Sequence, residues 1–142
     1  MWSALRPGMA YAPVGVGEER LAHHLRHWEQ HGFGVWALVE RECGEVAGWA
    51  GPSHPAFVPE LATEVEVGWT LRRPFWGRGL ATEAAREAMA AGFAHLDRDE
   101  LISLIHPDNA RSMAVARRLG MTPSRIVASA GLRLSVYSVR RR

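Results

Sequence analysis

Twenty consecutive residues organise the chain: Glu64-Val65-Glu66-Val67-Gly68-Trp69-Thr70-Leu71-Arg72-Arg73-Pro74-Phe75-Trp76-Gly77-Arg78-Gly79-Leu80-Ala81-Thr82-Glu83. The opening alternation of Glu and Val predicts a half-buried strand over residues 64–71. Arg72 to Gly79 carries Pro74, Gly77 and Gly79 and predicts a turn. From Leu80 the sequence is rich in Ala, Glu and Arg, which favour a helix. Strand, glycine turn and helix place unpaired N–H groups and a partial positive charge beside two glycines, a setting suited to a phosphate. No Lys-Ser or Lys-Thr follows Gly79, so the Walker pattern is absent, and Thr82 breaks the dinucleotide pattern.

Outward from this segment, residues 80–96 predict a helix whose apolar face is Leu80, Ala84, Ala88 and Phe93. Leu101-Ile102-Ser103-Leu104-Ile105 is too apolar for an exposed strand and is expected at the sheet centre. Asn109 predicts the N-cap of a helix running to Leu119, with Gly120 beyond its end. Residues 122–130 and 132–139 read as a hairpin through Ala130-Gly131. Toward the N-terminus, Pro52, Pro55 and Pro59 mark a loop over 52–63, and residues 34–41 and 45–51 form another hairpin. Residues 18–32 predict a helix with Leu21, Leu25 and Trp28 on one face and His23, His27 and His31 on roughly the other. That histidine row reads as a solvated face, since no carboxylate or Cys completes a metal set. Residues 1–17 are expected to be an irregular arm. His54 is expected on the surface of its loop, and Cys43 is expected as an exposed thiol in a hairpin turn.

With 142 residues, 47% apolar and 23% charged, the chain is expected to be one soluble domain over 1–142. A net charge of +2 does not call for nucleic acid. The basic tail Arg140–Arg142 lacks an accompanying recognition helix or aromatic platform. A lone Cys excludes an internal disulfide, and no apolar run spans a membrane, so a cytoplasmic location is expected, without a membrane partner.

The string from Val65 to Ala84 resembles the acetyl-CoA-binding core of GNAT-type N-acetyltransferases, most nearly the ribosomal-protein N-terminal acetyltransferase (RimJ/RimL-type) branch. Their Gln/Arg-x-x-Gly-x-Gly/Ala loop corresponds here to Pro74-Phe75-Trp76-Gly77-Arg78-Gly79, with Pro74 departing from the usual first residue. Asn109-Ala110-Arg111-Ser112 and Leu119-Gly120-Met121 resemble the family's Asn-x-x-Ser and Leu-Gly-Phe signatures. The resemblance covers about residues 18–139. It implies an α+β fold with a mixed, mostly antiparallel sheet flanked by helices and a central pair of splayed parallel strands. It also implies a chain shortened by the usual first strand and helix.

The function so implied is acetyl transfer from acetyl-CoA, as co-substrate, to a primary amine, expected to be a protein or peptide N-terminus. The alternatives are a small amine, or a relic that binds acyl-CoA without turnover. Pantetheine is expected along the main chain of Trp69, Thr70 and Leu71, near Trp76. The pyrophosphate is expected on the N–H groups of Gly77, Arg78, Gly79, Leu80, Ala81 and Thr82. Arg78 either adds charge to the phosphates or is an exposed loop residue. Asn109 and Ser112 face the cofactor from the other helix. Glu66 is the expected base, directly or through water, with Glu64 as fallback and the polar face of a strand as the bland reading. Many members protonate the departing thiolate with a Tyr where this chain has Ala116. Ser112 is the candidate for that step, and Tyr137 is read more readily as a packed or exposed strand aromatic. Without a first strand, the segment 34–41 would be a bare edge, covered either by the arm or by a second subunit in a homodimer.

Overall fold

A computed structural model describes residues 2–5, 17–129 and 131–142. The elements are β1 (Trp2–Leu5), α1 (Gly17–His31), β2 (Trp36–Glu40), β3 (Val46–Ser53), β4 (Glu66–Leu71), α2 (Leu80–His95), β5 (Glu100–Ile105), α3 (Ala110–Arg118), β6 (Thr122–Ser129) and β7 (Leu132–Arg140). Among the described residues the strands form one seven-stranded sheet in the order β1-β2-β3-β4-β5-β7-β6. Every neighbouring pair is antiparallel except β4 and β5. This is the expected α+β architecture, with the apolar segment around Leu101 at the centre.

Two expectations for the N-terminal part are corrected. The sequence predicts an irregular arm, yet Trp2–Leu5 pairs with β2, from Trp2 opposite Glu40 to Leu5 opposite Ala37. The strand expected to be missing is therefore present, and the same chain covers the β2 edge. Edge pairing satisfies backbone groups that four residues of weak local pattern do not advertise. Residues 6–16, also assigned to the arm, lie outside the described residues.

The second correction concerns α1. Helical spacing predicts a solvated His27, but the residue is only 5% exposed. Its Nε2 accepts the main-chain N–H of His54 at 2.9 Å, so Nδ1 carries the hydrogen and donates to the Phe33 carbonyl at 2.8 Å. The His54 ring then donates from Nδ1 to the Glu64 carbonyl at 2.7 Å, tying the 54–64 loop to α1. His23 and His31 remain exposed, as expected. Burial lowers the His27 pKa from 6.5, and the nearby His31, His54 and His23 push it the same way. A depressed histidine adds stability above its ordinary pKa, and that stability is lost as pH falls below it. The parent's Tm, measured relative to that of His27→Gln, should therefore fall between pH 7.5 and 5. A pH-independent difference would show that His27 does not titrate in this way.

The two faces of the sheet carry different partners. Val65, Val67 and Leu101 pack beneath Ala84 and Ala88 of α2. Ile105 packs with Ala85 of α2 and Val115 and Ala116 of α3. Small residues bring α2 close to the sheet: a Cβ on Gly92 would lie 2.9 Å from Leu101 Cδ1. On the opposite face, Ile102, Val127 and Val136 meet Val58 and Leu61 around a short helical turn at Pro59–Leu61. Burying these side chains contributes roughly 1.5–3 kcal/mol for each fully enclosed Leu, Ile or Val.

Candidate active site

The site begins where β4 and β5 part. Their parallel pairing is limited to Glu66 opposite Ile102, with Ile102 N–H bonded to the Val65 carbonyl at 3.0 Å. Beyond that point side chains replace the ladder. The Ser103 hydroxyl donates to the Val67 carbonyl at 2.7 Å, and Leu104 N–H donates to Glu66 Oε2 at 3.2 Å. These bonds hold the strands at the distance of a side chain.

Strand alternation decides which backbone groups face the gap. Arg72 N–H bonds to the Ala47 carbonyl at 2.7 Å, and Thr70 stands opposite Trp49 in the same register. The even-numbered main-chain groups of β4 therefore point to β3, and those of Trp69 and Leu71 point toward β5. This corrects the expectation for Thr70, whose backbone is committed to β3. The Leu71 carbonyl is also engaged, accepting Trp76 Nε1–H at 2.9 Å.

Two cavities meet at the gap. The larger, about 790 Å³, runs between the start of α2 and α3, past Trp69, Trp76, Gly77, Gly79 and Arg118. The smaller, about 220 Å³, is lined by Trp49, Glu66, Gly68, Leu104 and His106. Trp69, Thr70, Asn109 and Ser112 line both. Gly68 makes room for the aromatic wall, because a Cβ there would lie 3.1 Å from the Trp49 ring.

The loop before α2 is shaped for an anion. Gly77 and Gly79 have φ of 79° and 72°, in the left-handed region that glycine adopts without strain. Gly79 caps α2 and brings no side chain to the first turn. A Cβ at either glycine would meet nothing within 4 Å. Arg111 stacks over the Trp76 ring at 4.3 Å from one element, and Arg73 lies 5.3 Å from it on the loop itself. Arg118 Nη1 reaches the Thr82 hydroxyl at 3.5 Å. An open cavity, a helix start with no side-chain cap and basic residues from α3 fit a phosphate-bearing, elongated ligand.

Glu66 faces the smaller cavity. Burial raises its pKa from 4.5 to about 7, against the opposing effect of the Leu104 N–H. A carboxylic acid so tuned changes protonation state near neutrality, as a general base requires. Glu64, the fallback, precedes the strand and is absent from the lining of either cavity. Asn109 caps α3 by accepting Ser112 N–H at 3.1 Å, and both residues line the gap. Ala116 and Tyr137 are enclosed in the core beside Ile105 and Met121. The tyrosine position of the family pattern thus holds no acid here, and Tyr137 is a packing residue.

Arg78 does not face the larger cavity. Its guanidinium lies 3.3 Å from Glu40 Oε1 and 4.0 Å from Glu42, across the loop on the β2–β3 hairpin. Cys43 in that hairpin is exposed, as expected. Sequence reasoning also passed over Ser103, Trp49, Arg111 and Arg118. The polar Ser103 inside an otherwise apolar central strand was the one local signal, because a buried hydroxyl requires a partner.

The chain belongs to the GNAT family: residues 6–122 match the Acetyltransferase (GNAT) domain. The Bacillus subtilis uncharacterized protein YkkB is 31% identical over 131 residues, which cover 87% of this chain and 73% of that protein. The crystal structure of an acetyltransferase from Agrobacterium tumefaciens is 31% identical, with a TM-score of 0.76, covering 91% of this chain and 73% of that one. A Salmonella typhimurium structure, yncA, a putative acetyltransferase with its cofactor acetyl-CoA, shares the fold with a TM-score of 0.70 at 18% identity. It covers 93% of this chain and 79% of that one. Family membership makes the protein an acetyl-CoA-dependent N-acetyltransferase. Among the described residues no helix is long and apolar enough to cross a membrane.

Proposed function

We propose that the acceptor is the α-amine of a protein or peptide N-terminus, as in the RimJ/RimL-type branch, and that Glu66 is its base. The observation that carries this is the placement of Glu66, a carboxyl with a pKa near 7, in a cavity that shares its inner wall with the cofactor side. An α-ammonium has a pKa of about 8 and a lysine ammonium about 10.4. Glu66 is therefore matched to the former within about one unit, whereas lysine lies more than three units away. The smaller cavity offers one carboxylate, Glu66, together with His106. A polyamine or aminoglycoside would call for several separated anions, so a single-amine acceptor suits this lining better.

In this reading the larger cavity holds acetyl-CoA, which supplies the acetyl group as a thioester. The first turn of α2 receives phosphate charge, and the Trp69 main chain lines the pantetheine path. Asn109 and Ser112 border the gap from α3, where the Ser112 hydroxyl is the proposed donor to the departing sulfur. Glu66 takes the amine proton, directly or through one water.

Thiol release from acetyl-CoA tests the proposal with a panel of peptides bearing free or blocked N-termini, together with spermidine and short alkylamines. Free N-terminal peptides should be turned over, while the same peptides with a blocked N-terminus and an internal lysine should not. Preference for alkylamines would support the small-amine alternative. Tight acetyl-CoA binding without turnover of any acceptor would favour a binding relic.

A further inference from the structure

We propose that Glu40 is a positioning residue for the phosphate loop and that Arg78 is its link to that loop, not a ligand of the phosphates. The proposal rests on reading Gly77–Thr82 as the pyrophosphate site. Glu40 ends β2, 38 residues before Arg78, and its side chain is only 2% exposed. Both of its carboxylate oxygens are committed. Oε2 accepts the Cys43 N–H at 2.9 Å, inside a hairpin closed by the Glu40 N–H to the Glu45 carbonyl and the Gly44 N–H to the Glu40 carbonyl. Oε1 receives Arg78 Nη2 at 3.3 Å.

The Cys43 thiol and N–H, with Arg78 adding to them, hold the carboxyl at about 2, so it is anionic throughout the working range. A buried anion requires a paired cation or several donors. Arg78 supplies the cation from a side chain that is 43% exposed. Its neighbours Gly77 and Gly79 both line the larger cavity, whereas Arg78 does not. The guanidinium points outward to the hairpin, and the glycines on either side turn inward.

Two glycines in the left-handed region give this loop a large conformational entropy to lose on ordering. An anchor on the one side chain between them restricts that freedom. The β2–β3 hairpin thereby holds the loop in the shape that presents its N–H groups to an anion. The pair also has an electrostatic role. Without Arg78, the Glu40 carboxylate would keep the Cys43 N–H but lose the cation that joins it to the loop.

The anchor and ligand readings predict opposite signs. If Arg78 were a phosphate ligand held back by Glu40, Glu40→Gln would release it and acetyl-CoA would bind more tightly. As an anchor, Glu40→Gln should weaken binding by about three- to tenfold, a size typical of coupling between contacting residues. Calorimetry with acetyl-CoA on the full chain, Glu40→Gln, Arg78→Met and the double variant reads this directly. The double variant should be no weaker than Arg78→Met alone, and Arg78→Lys should recover part of the loss. Turnover with S-acetylpantetheine, a donor without the pyrophosphate, should be the same in Glu40→Gln as in the parent.

Unchanged or tighter acetyl-CoA binding by Glu40→Gln, in a parent that binds it, would overturn the proposal alone. An equal loss with S-acetylpantetheine would also overturn it, because the effect would then be general. A parent that fails to bind acetyl-CoA would overturn the loop assignment and the proposal together. Should Glu40→Gln fold poorly, Glu40→Asp shortens the anchor, and tighter binding by that variant counts equally against it.

Discussion

Glu66→Gln should turn over an N-terminal peptide at least about a hundredfold more slowly at pH 7, while binding acetyl-CoA as the parent does. General bases contribute about a hundredfold to ten-thousandfold. Gln keeps the size of the side chain and can still accept the Leu104 N–H, so the loss isolates proton removal. In the parent, rate should rise with pH and inflect near 7, because Glu66 must be ionised to act. In the variant that inflection should vanish, leaving the amine's own pKa of about 8, and the deficit should shrink toward alkaline pH. Stability should move the other way. A carboxyl whose folded pKa is raised from 4.5 to about 7 adds stability at acid pH and loses it as pH rises through 7. Glu66→Gln should therefore gain Tm relative to the parent on going from pH 5 to pH 8. Near-normal turnover at pH 7 would remove Glu66 as the base and leave the step to water.

Gly79→Val should weaken acetyl-CoA binding by at least about tenfold, or roughly 1.4 kcal/mol, in a protein that still folds. Two effects act in the same direction. The φ of 72° is one that a β-branched residue resists. The added side chain also extends into open space within the cavity, because no atom lies within 4 Å of its Cβ and Gly79 is part of the lining. The absence of a steric clash with the core is the reason the fold should survive. Gly120, with a φ of 85° beyond α3, provides the comparison. Gly120→Val carries similar backbone strain away from either cavity lining and should lower Tm with little change in affinity. Equal acetyl-CoA affinity in parent and Gly79→Val would remove the first turn of α2 from the phosphate site.

Local chemistry explains why so much was legible in the chain itself. The Glu-Val alternation, the glycines at 77 and 79 and the alanine-rich segment after them constrain the strand, turn and helix through near-neighbour effects alone. Asn109 is an N-cap whose donor, the Ser112 N–H, is three residues away, and Gly120 follows the helix where glycine is favoured. Gly44 turns the β2–β3 hairpin with a φ of 71°. Each of these features is decided within about one turn of chain, and a sequence displays them directly.

Features that depend on distant residues were read less well or missed. His27 looked solvated because helical spacing sets its direction but not what covers it. The cover is the backbone of His54, 27 residues on. Trp2–Leu5 carries little pattern of its own and becomes a strand through the open edge of β2. Thr70 seemed available to a cofactor until its register against Trp49 assigned its backbone to β3. Arg78 reads in the sequence either as a phosphate ligand or as an exposed loop residue, and only the structure shows its guanidinium 3.3 Å from Glu40, buried on another strand.

The sequence alone determined the α+β class, the order of the elements from the first predicted helix onward, the family resemblance and the choice of Glu66 and Asn109 as candidates. Periodicity, capping and turn chemistry are short-range, so they survive without coordinates. The tertiary structure decided how the strands part and what stands in the gap. Only there do Ser103 and Leu104 of one strand meet Val67 and Glu66 of another, spacing the pair with side chains instead of ladder bonds. Only there does burial lift the Glu66 pKa to about 7, because desolvation depends on every element packed around the carboxyl and not on its neighbours in sequence.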